Sequence, residues 1–175
     1  MGVRQVYFAG LPEQITLQVI RNGPYDIGDC VPAAGIDPNV SLGQLGEQLT
    51  GISMWEIGET VRTWSRPTEV PDDPAERERL FAELGFPGKS SAKQLERLLR
   101  QAQWSTWVEQ VPNRLRDALA AVAPTDYPQV AARWNTTEEL SSIPADDLLH
   151  IVRHLGSLAR TARDQDQYLY CWTML

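Results

Sequence analysis

The chain has 175 residues, 42% of them hydrophobic and 22% charged, and its 23 acidic and 16 basic residues give a formal net charge of −7 at pH 7. This composition excludes an intrinsically disordered chain, and the length fits one domain, residues 1–175, with a sizeable buried core. The negative charge argues against a nucleic-acid partner, because phosphate binding requires a cationic surface, and it favours a basic partner instead.

Neither membrane insertion nor export is indicated by the sequence. No stretch approaches the roughly 18 consecutive apolar residues of a transmembrane helix, and the opening residues MGVRQ lack the pattern of a secretory signal. We therefore expect a cytoplasmic protein that contacts no membrane. Cys30 and Cys171 are far apart in sequence, and in that compartment we expect both thiols to be reduced and buried.

Both ends of the chain predict β structure. Residues 3–8 form one apolar run, and residues 15–19 alternate apolar with polar side chains, which is the period of a half-buried strand. The Gly- and Pro-rich stretch 28–38 predicts a surface loop. Residues 168–175 are aromatic and β-prone, and so apolar a tail is costly to expose, so we expect it to pair with the N-terminal strands.

Helices are predicted between these ends. Capping signals begin helices at four places: Ser41 with Gln44, Ser53 with Glu56, Asp73 with Pro74, and Ser91. The stripe of the second of these helices runs to Trp64. Three further apolar stripes at helical spacing lie around residues 115–122, around residues 130–134 and from residue 145. Residues 104–111 fit a helix or a strand. The predicted fold class is α+β, a mostly helical single domain with a small antiparallel sheet.

Two weak motifs suggest chemistry. His150 and His154 stand one helical turn apart, a spacing at which both imidazoles bind one zinc ion, but Ile151 replaces the glutamate of an HExxH site and no third ligand is near. Asp26 and Asp29 suit a cation or acid/base catalysis, and equally a pair of Asx turns. We predict no metal and no cofactor, and we keep a small enzyme that uses these histidines and aspartates as an alternative.

Acidic side chains cluster at predicted helix starts. The clusters are Asp72, Asp73, Glu76 and Glu78; Glu138 and Glu139; and Asp146 and Asp147. Carboxylates in a first turn interact favourably with the helix dipole, which explains each cluster but not the negative charge of the whole chain. A basic partner explains both observations.

Six tryptophans are many for this length, and tryptophan is enriched in cores and at binding hot spots alike. Most are expected in the core. Trp55 lies off its helical stripe, and Trp104 or Trp107 points outward if its segment is a strand, so we predict these three as exposed anchors for a partner.

The arrangement of the first two thirds of the chain resembles a known family. An opening strand is followed by LGQLG at 42–46, FAELGF at 81–86, KSSAKQL at 89–95 and an aromatic segment. This order resembles the small immunity proteins of contact-dependent growth inhibition and related polymorphic toxin systems, over residues 3–111. The resemblance implies a bacterial, cytoplasmic, non-catalytic protein that binds and neutralises a cognate toxin domain. No functional residue carries over, because these families diverge at the surfaces that bind.

Three functional hypotheses follow. The favoured one is a non-enzymatic binding protein, an immunity-like inhibitor whose acidic helix starts and exposed aromatics contact a basic toxin domain. The enzyme alternative requires its aspartates and histidines to converge in one pocket. In the third, the chain is a subunit of a homo-oligomer or larger assembly that covers the tryptophans and the apolar tail.

Overall fold

The sheet in the computed structural model joins the two ends of the chain. The structure describes residues 3–53, 56, 62–65, 67, 69–84, 91–101 and 105–175. Five described strands form one antiparallel sheet in the order β2-β1-β5-β4-β3. The strands are β1 (Arg4–Gly10), β2 (Cys30–Pro32), β3 (Thr63–Ser65), β4 (Thr106–Gln110) and β5 (Tyr168–Met174). The predicted pairing of the C-terminal segment with the first strand is confirmed, since β5 lies between β1 and β4.

Helices cover both faces of this sheet. The helices of the described residues are α1 (Leu17–Asn22), α2 (Ser41–Thr50), α3 (Pro74–Glu83), α4 (Ala92–Gln101), α5 (Asn113–Ala121), α6 (Tyr127–Trp134) and α7 (Ala145–Asp164). None of them is long and apolar enough to cross a bilayer.

Alternation along the strands divides the core into two clusters. Tyr7 and Cys171 lie on the face that packs against α2, α5, α6 and α7. Val6, Phe8 and Trp172 lie on the face that packs against α1, α3 and α4. The result is three layers, helix on sheet on helix, and the predicted α+β class is confirmed. Because the C-terminal strand is buried within the chain, its apolar residues need no neighbouring subunit to cover them.

Two of the predictions for residues 3–40 are wrong. Residues 15–19 do not form a strand, because Thr16 caps α1 by accepting a hydrogen bond from the Val19 amide at 3.3 Å. Five residues of alternation are too short to separate the two periods. The stretch 28–38 is not all loop, since Cys30–Pro32 form the edge strand β2, a position that tolerates proline.

The predicted helix starts agree in part with the structure. Asp73 accepts a hydrogen bond from the Ala75 amide, and Ser91 and Gln94 form a reciprocal capping box. Ser41 is not a cap: it is the buried first residue of α2. The helix predicted to start at Ser53 falls largely outside the described residues, but its last stripe residue, Trp64, lies in β3.

The structure confirms the predicted helices in the second half of the chain and decides the segment that the sequence left open. The ambiguous segment 104–111 contains the strand β4, whose alternate residues are buried. The three predicted apolar stripes form α5, α6 and α7, and each turns buried residues toward the first core cluster.

Helix α7 passes so close to Tyr127 that only glycine fits at position 156. A Cβ atom there would lie 2.6 Å from the Tyr127 hydroxyl oxygen, which accepts a hydrogen bond from Arg160. We expect Gly156→Ala to lower the free energy of unfolding by about 1–2 kcal/mol, because overpacking outweighs the gain in helix propensity. Urea denaturation measures the loss. A double variant with Tyr127→Ala removes the hydroxyl oxygen and the two ring carbons that lie nearest that Cβ, so strictly additive losses would contradict the steric explanation.

Candidate functional site

An acidic groove lies between α2 and the short 3-10 helix Glu138–Leu140. Its cavity measures about 460 Å³. The lining residues are Gln44, Glu47, Gln48, Thr137, Glu138 and Glu139. Three carboxylates, two amides and one hydroxyl therefore face the cavity, and the described lining contains no cationic side chain.

Hydrogen bonds between α2 and the chain around α6 hold this groove open. Gln44 Nε2 donates to Glu139 Oε2 at 2.9 Å, and Arg133 Nη2 donates to the Gln48 carbonyl at 3.0 Å. Beneath them the buried Trp134 indole donates to the Ser41 carbonyl at 2.8 Å. The α2 wall of the groove is thus joined to the 3-10 helix by the bond from Gln44, and to α6 by the bonds from Arg133 and Trp134.

The groove is rich in hydrogen-bond acceptors and stays negatively charged. The bond from Gln44 lowers the pKa of the Glu139 carboxyl, so this group remains ionised. The Oε1 atoms of Gln44 and Gln48 are buried and accept no hydrogen bond from the described residues. The exposed carboxylates of Glu47, Glu138 and Glu139, by contrast, favour a partner group that brings N–H donors and positive charge.

The predicted acidic clusters lie on two different sides of the molecule. Glu138 and Glu139 line the groove, and Asp146 and Asp147 are exposed in the first turn of α7, which belongs to the same helical layer. The remaining cluster, Asp72, Asp73, Glu76 and Glu78, lies at α3, which packs on the opposite face of the sheet. One partner surface therefore cannot use all of these residues equally.

Of the three predicted tryptophan anchors, the structure describes only one. Trp107 is half-buried on β4, and its indole N–H donates to Glu109 Oε2 at 2.9 Å. Asn39 donates to the other oxygen of that carboxylate at 3.1 Å. The polar edge of Trp107 is thus already engaged within the chain. Trp55 and Trp104 lie outside the described residues.

A second cavity, of about 280 Å³, lies between β2 and α7 and brings together part of the predicted enzyme site. Its lining residues are Asp29, Cys30, Val31, His154, Ser157, Leu158 and Thr161. Two of the four predicted residues, Asp29 and His154, meet here, whereas Asp26 and His150 do not line the cavity. Both histidines are exposed, with ring centroids 4.0 Å apart.

The cysteine that lines the second cavity is not an activated nucleophile. Cys30 Sγ donates to the carbonyls of Pro24 and Gly28, at 3.6 and 3.4 Å. Burial, reinforced by the charge of Asp29, raises the pKa of this thiol, so it stays protonated at neutral pH. Both cysteines are free thiols, with Cys171 buried and Cys30 only half-buried. Within the described part of the chain, no three His, Cys, Asp or Glu side chains are grouped to hold a metal.

The chain matches no protein-family model, no curated protein and no solved structure. Its function is therefore argued from the chemistry of the two cavities.

The sequence does not predict several of the residues that line the two cavities, although these residues recur at helical spacing. Gln44, Glu47 and Gln48 form a polar stripe at helical spacing on the side of α2 opposite its buried leucines. Likewise Ser157 and Thr161 follow His154 on one face of α7. In both cases the sequence does not show which element lies opposite these residues, because that depends on the tertiary fold.

Proposed function

We propose that this protein is a non-enzymatic binding protein that recognises a basic protein through the acidic groove, in the manner of an immunity protein that neutralises a toxin domain in the bacterial cytoplasm. The groove supports this proposal more than any other feature. It brings the carboxylates of Glu47, Glu138 and Glu139 together on one concave surface. The resemblance of residues 3–111 to immunity proteins points the same way.

The physical basis of recognition would be electrostatic attraction followed by hydrogen bonding. A concave cluster of carboxylates focuses the negative potential of a chain whose net charge is −7, and this attraction accelerates encounter with a basic surface. An arginine of the partner would then find paired carboxylate oxygens, and bidentate bonds of this kind are the strongest polar contacts at interfaces. Asp146 and Asp147 would extend the same negative field along the layer of α7.

Charge reversal tests this proposal. The partner is first isolated on the tagged chain from a lysate of the source organism, identified by mass spectrometry and purified. We expect Glu138→Lys/Glu139→Lys to slow its association about tenfold or more at low salt, because steering depends on the charge at the docking surface. Surface plasmon resonance at two salt concentrations measures both the rate and its salt dependence.

The opposite side of the sheet supplies a matched control. Asp72→Lys/Glu78→Lys changes the net charge by the same amount, and both residues are exposed on the side of α3. We expect this variant to alter the association rate by less than about twofold. Equal effects of the two variants would show only a general charge effect, and the groove would then have no role as the docking site.

A second candidate function, a small enzyme, is favoured by one observation, the meeting of Asp29 and His154 in the second cavity. In this alternative, Asp29 and His154 act as an acid/base pair in that cavity. Asp26 and His150 are not part of it.

A further inference from the structure

The second cavity presents four polar groups that make no hydrogen bond to another described residue. They are the Asp29 carboxylate, the hydroxyls of Ser157 and Thr161, and Nε2 of His154. The Cys30 thiol, by contrast, is already engaged with two backbone carbonyls. These four groups are therefore available to a ligand.

The tautomer of His154 follows from its position on the helix. Its Nδ1 lies 2.8 Å from the carbonyl oxygen of His150. Because a carbonyl only accepts, Nδ1 carries the hydrogen, and whenever the ring is neutral its lone pair is on Nε2. Asp29 and His154 are then both acceptors, and the two hydroxyls can accept as well.

The rest of the lining is apolar or uncharged. Val31 and Leu158 are 7% and 5% exposed and form the apolar wall. The lining that the structure describes includes no lysine or arginine to neutralise Asp29. A cavity that offers one negative charge, several acceptors and a short apolar wall matches a small cationic donor.

We propose that this cavity binds a primary ammonium group carried on a short alkyl chain. The carboxylate of Asp29 pairs with the ammonium charge, His154 Nε2 and the hydroxyls accept its N–H groups, and Val31 with Leu158 contacts the methylenes. An ammonium has three donors and no acceptor, which fits a lining of acceptors. The proposal uses no residue of the acidic groove, so a failure of the proposed function would not affect it, and its own failure would not affect the proposed function.

Binding of n-butylamine to the intact chain tests the proposal, with n-pentanol as the uncharged probe of similar shape. Backbone amide chemical shifts in 1H–15N spectra should change saturably for residues 29–31 and 154–161, with a dissociation constant on the order of 1 mM for so small a ligand. We expect Asp29→Asn to weaken butylamine binding about tenfold or more. Asp26→Asn, in the same loop but outside the cavity, should leave it unchanged.

Two sources of the ammonium group are distinguished by a second probe, Nα-acetyl-lysine methylamide. Binding at least as tight as that of butylamine identifies a lysine side chain of a protein as the ligand, and weaker binding identifies a free amine. The proposal is overturned if no shifts saturate in this cavity, if pentanol binds as tightly as butylamine, or if Asp26→Asn weakens binding as much as Asp29→Asn. Superimposable spectra of the unliganded variants establish that both are folded.

Discussion

Replacing Trp134 with alanine should lower the free energy of unfolding by about 3–5 kcal/mol. The side chain is 0% exposed in the core cluster between the sheet and α2, α5, α6 and α7. Its indole N–H also donates to the Ser41 carbonyl at 2.8 Å in a buried environment. The substitution therefore creates a cavity and removes a buried hydrogen bond, and these two costs act in the same direction.

Trp134→Phe separates the two costs, because it keeps much of the ring but removes the donor. We expect a loss of about 1–2 kcal/mol for this variant, the cost of one buried hydrogen bond together with a smaller ring. Urea denaturation followed by circular dichroism measures all the variants. Trp107→Ala is the control: its side chain is half-buried, so its loss should be clearly smaller than that of Trp134→Ala. A loss at Trp134 no larger than at Trp107 would contradict the assignment of Trp134 to the core.

The bond from Trp134 also connects stability to the proposed function. It fixes α2 to α6 directly below the residues that line the acidic groove, with Gln44 and Gln48 on one wall. A buried tryptophan therefore anchors the α2 wall of the groove. The groove depends on the core beneath it as well as on its own surface bonds.

The sequence predicted the elements that have a long or one-sided pattern. The tail 168–175 is so apolar that it had to be buried, and its place beside β1 followed from the β-prone start of the chain. The long stripe of α7 was equally clear. The errors fall where the pattern is short: residues 15–19 offer too few periods, and β2 has three residues, one of them a proline. Whether so short a segment forms a helix or a strand depends on its tertiary contacts more than on its own sequence pattern.

The candidate site was predictable only in its components. Acidic clusters are visible in the sequence, but the separation of Glu138 and Glu139 from Asp72 and Asp73 follows from the three-layer packing, which local patterns do not encode. Asp29 was singled out with His154 as a possible site, yet their shared cavity depends on α7 lying beside the edge strand β2. Ser157 and Thr161 of α7 line a cavity only because β2 lies beside them.

Raising the pH above about 9 should destabilise the fold steeply. Burial raises the pKa of the Cys171 thiol from 9.0 to about 12, an effect that hydrogen bonds with Thr173 and Tyr7 only partly offset. Burial likewise raises the pKa of Tyr7 well above its ordinary value of 10.0, and its hydroxyl donates to the Ile36 carbonyl at 2.8 Å. Between the unfolded and folded pKa values the native state holds protons that the unfolded chain has released.

The sign of the effect follows directly. Because the native state binds more protons in this range, the free energy of unfolding falls as the pH rises. Each such group lowers the free energy of unfolding by at most about 1.4 kcal/mol per pH unit, and for Cys171 this loss begins near the ordinary thiol pKa of 9.0. Tyr170, whose pKa is also raised by burial, adds to this loss, so the contribution of Cys171 is isolated by comparing the natural chain with a variant that lacks the thiol.

Urea midpoints at intervals from about pH 8 to about pH 11 measure this loss. Cys171→Ala removes one of the titrating groups, so its stability should fall less steeply with pH, by up to about 1.4 kcal/mol per unit. Cys30→Ala is the control, because that thiol is only half-buried and should change the slope less. A flat profile for the natural chain, or an unchanged slope in Cys171→Ala, would mean that the Cys171 thiol ionises in the folded state as easily as in the unfolded chain. The sheet between the helical layers would then be open to water, contrary to the packing that places both chain ends at its centre.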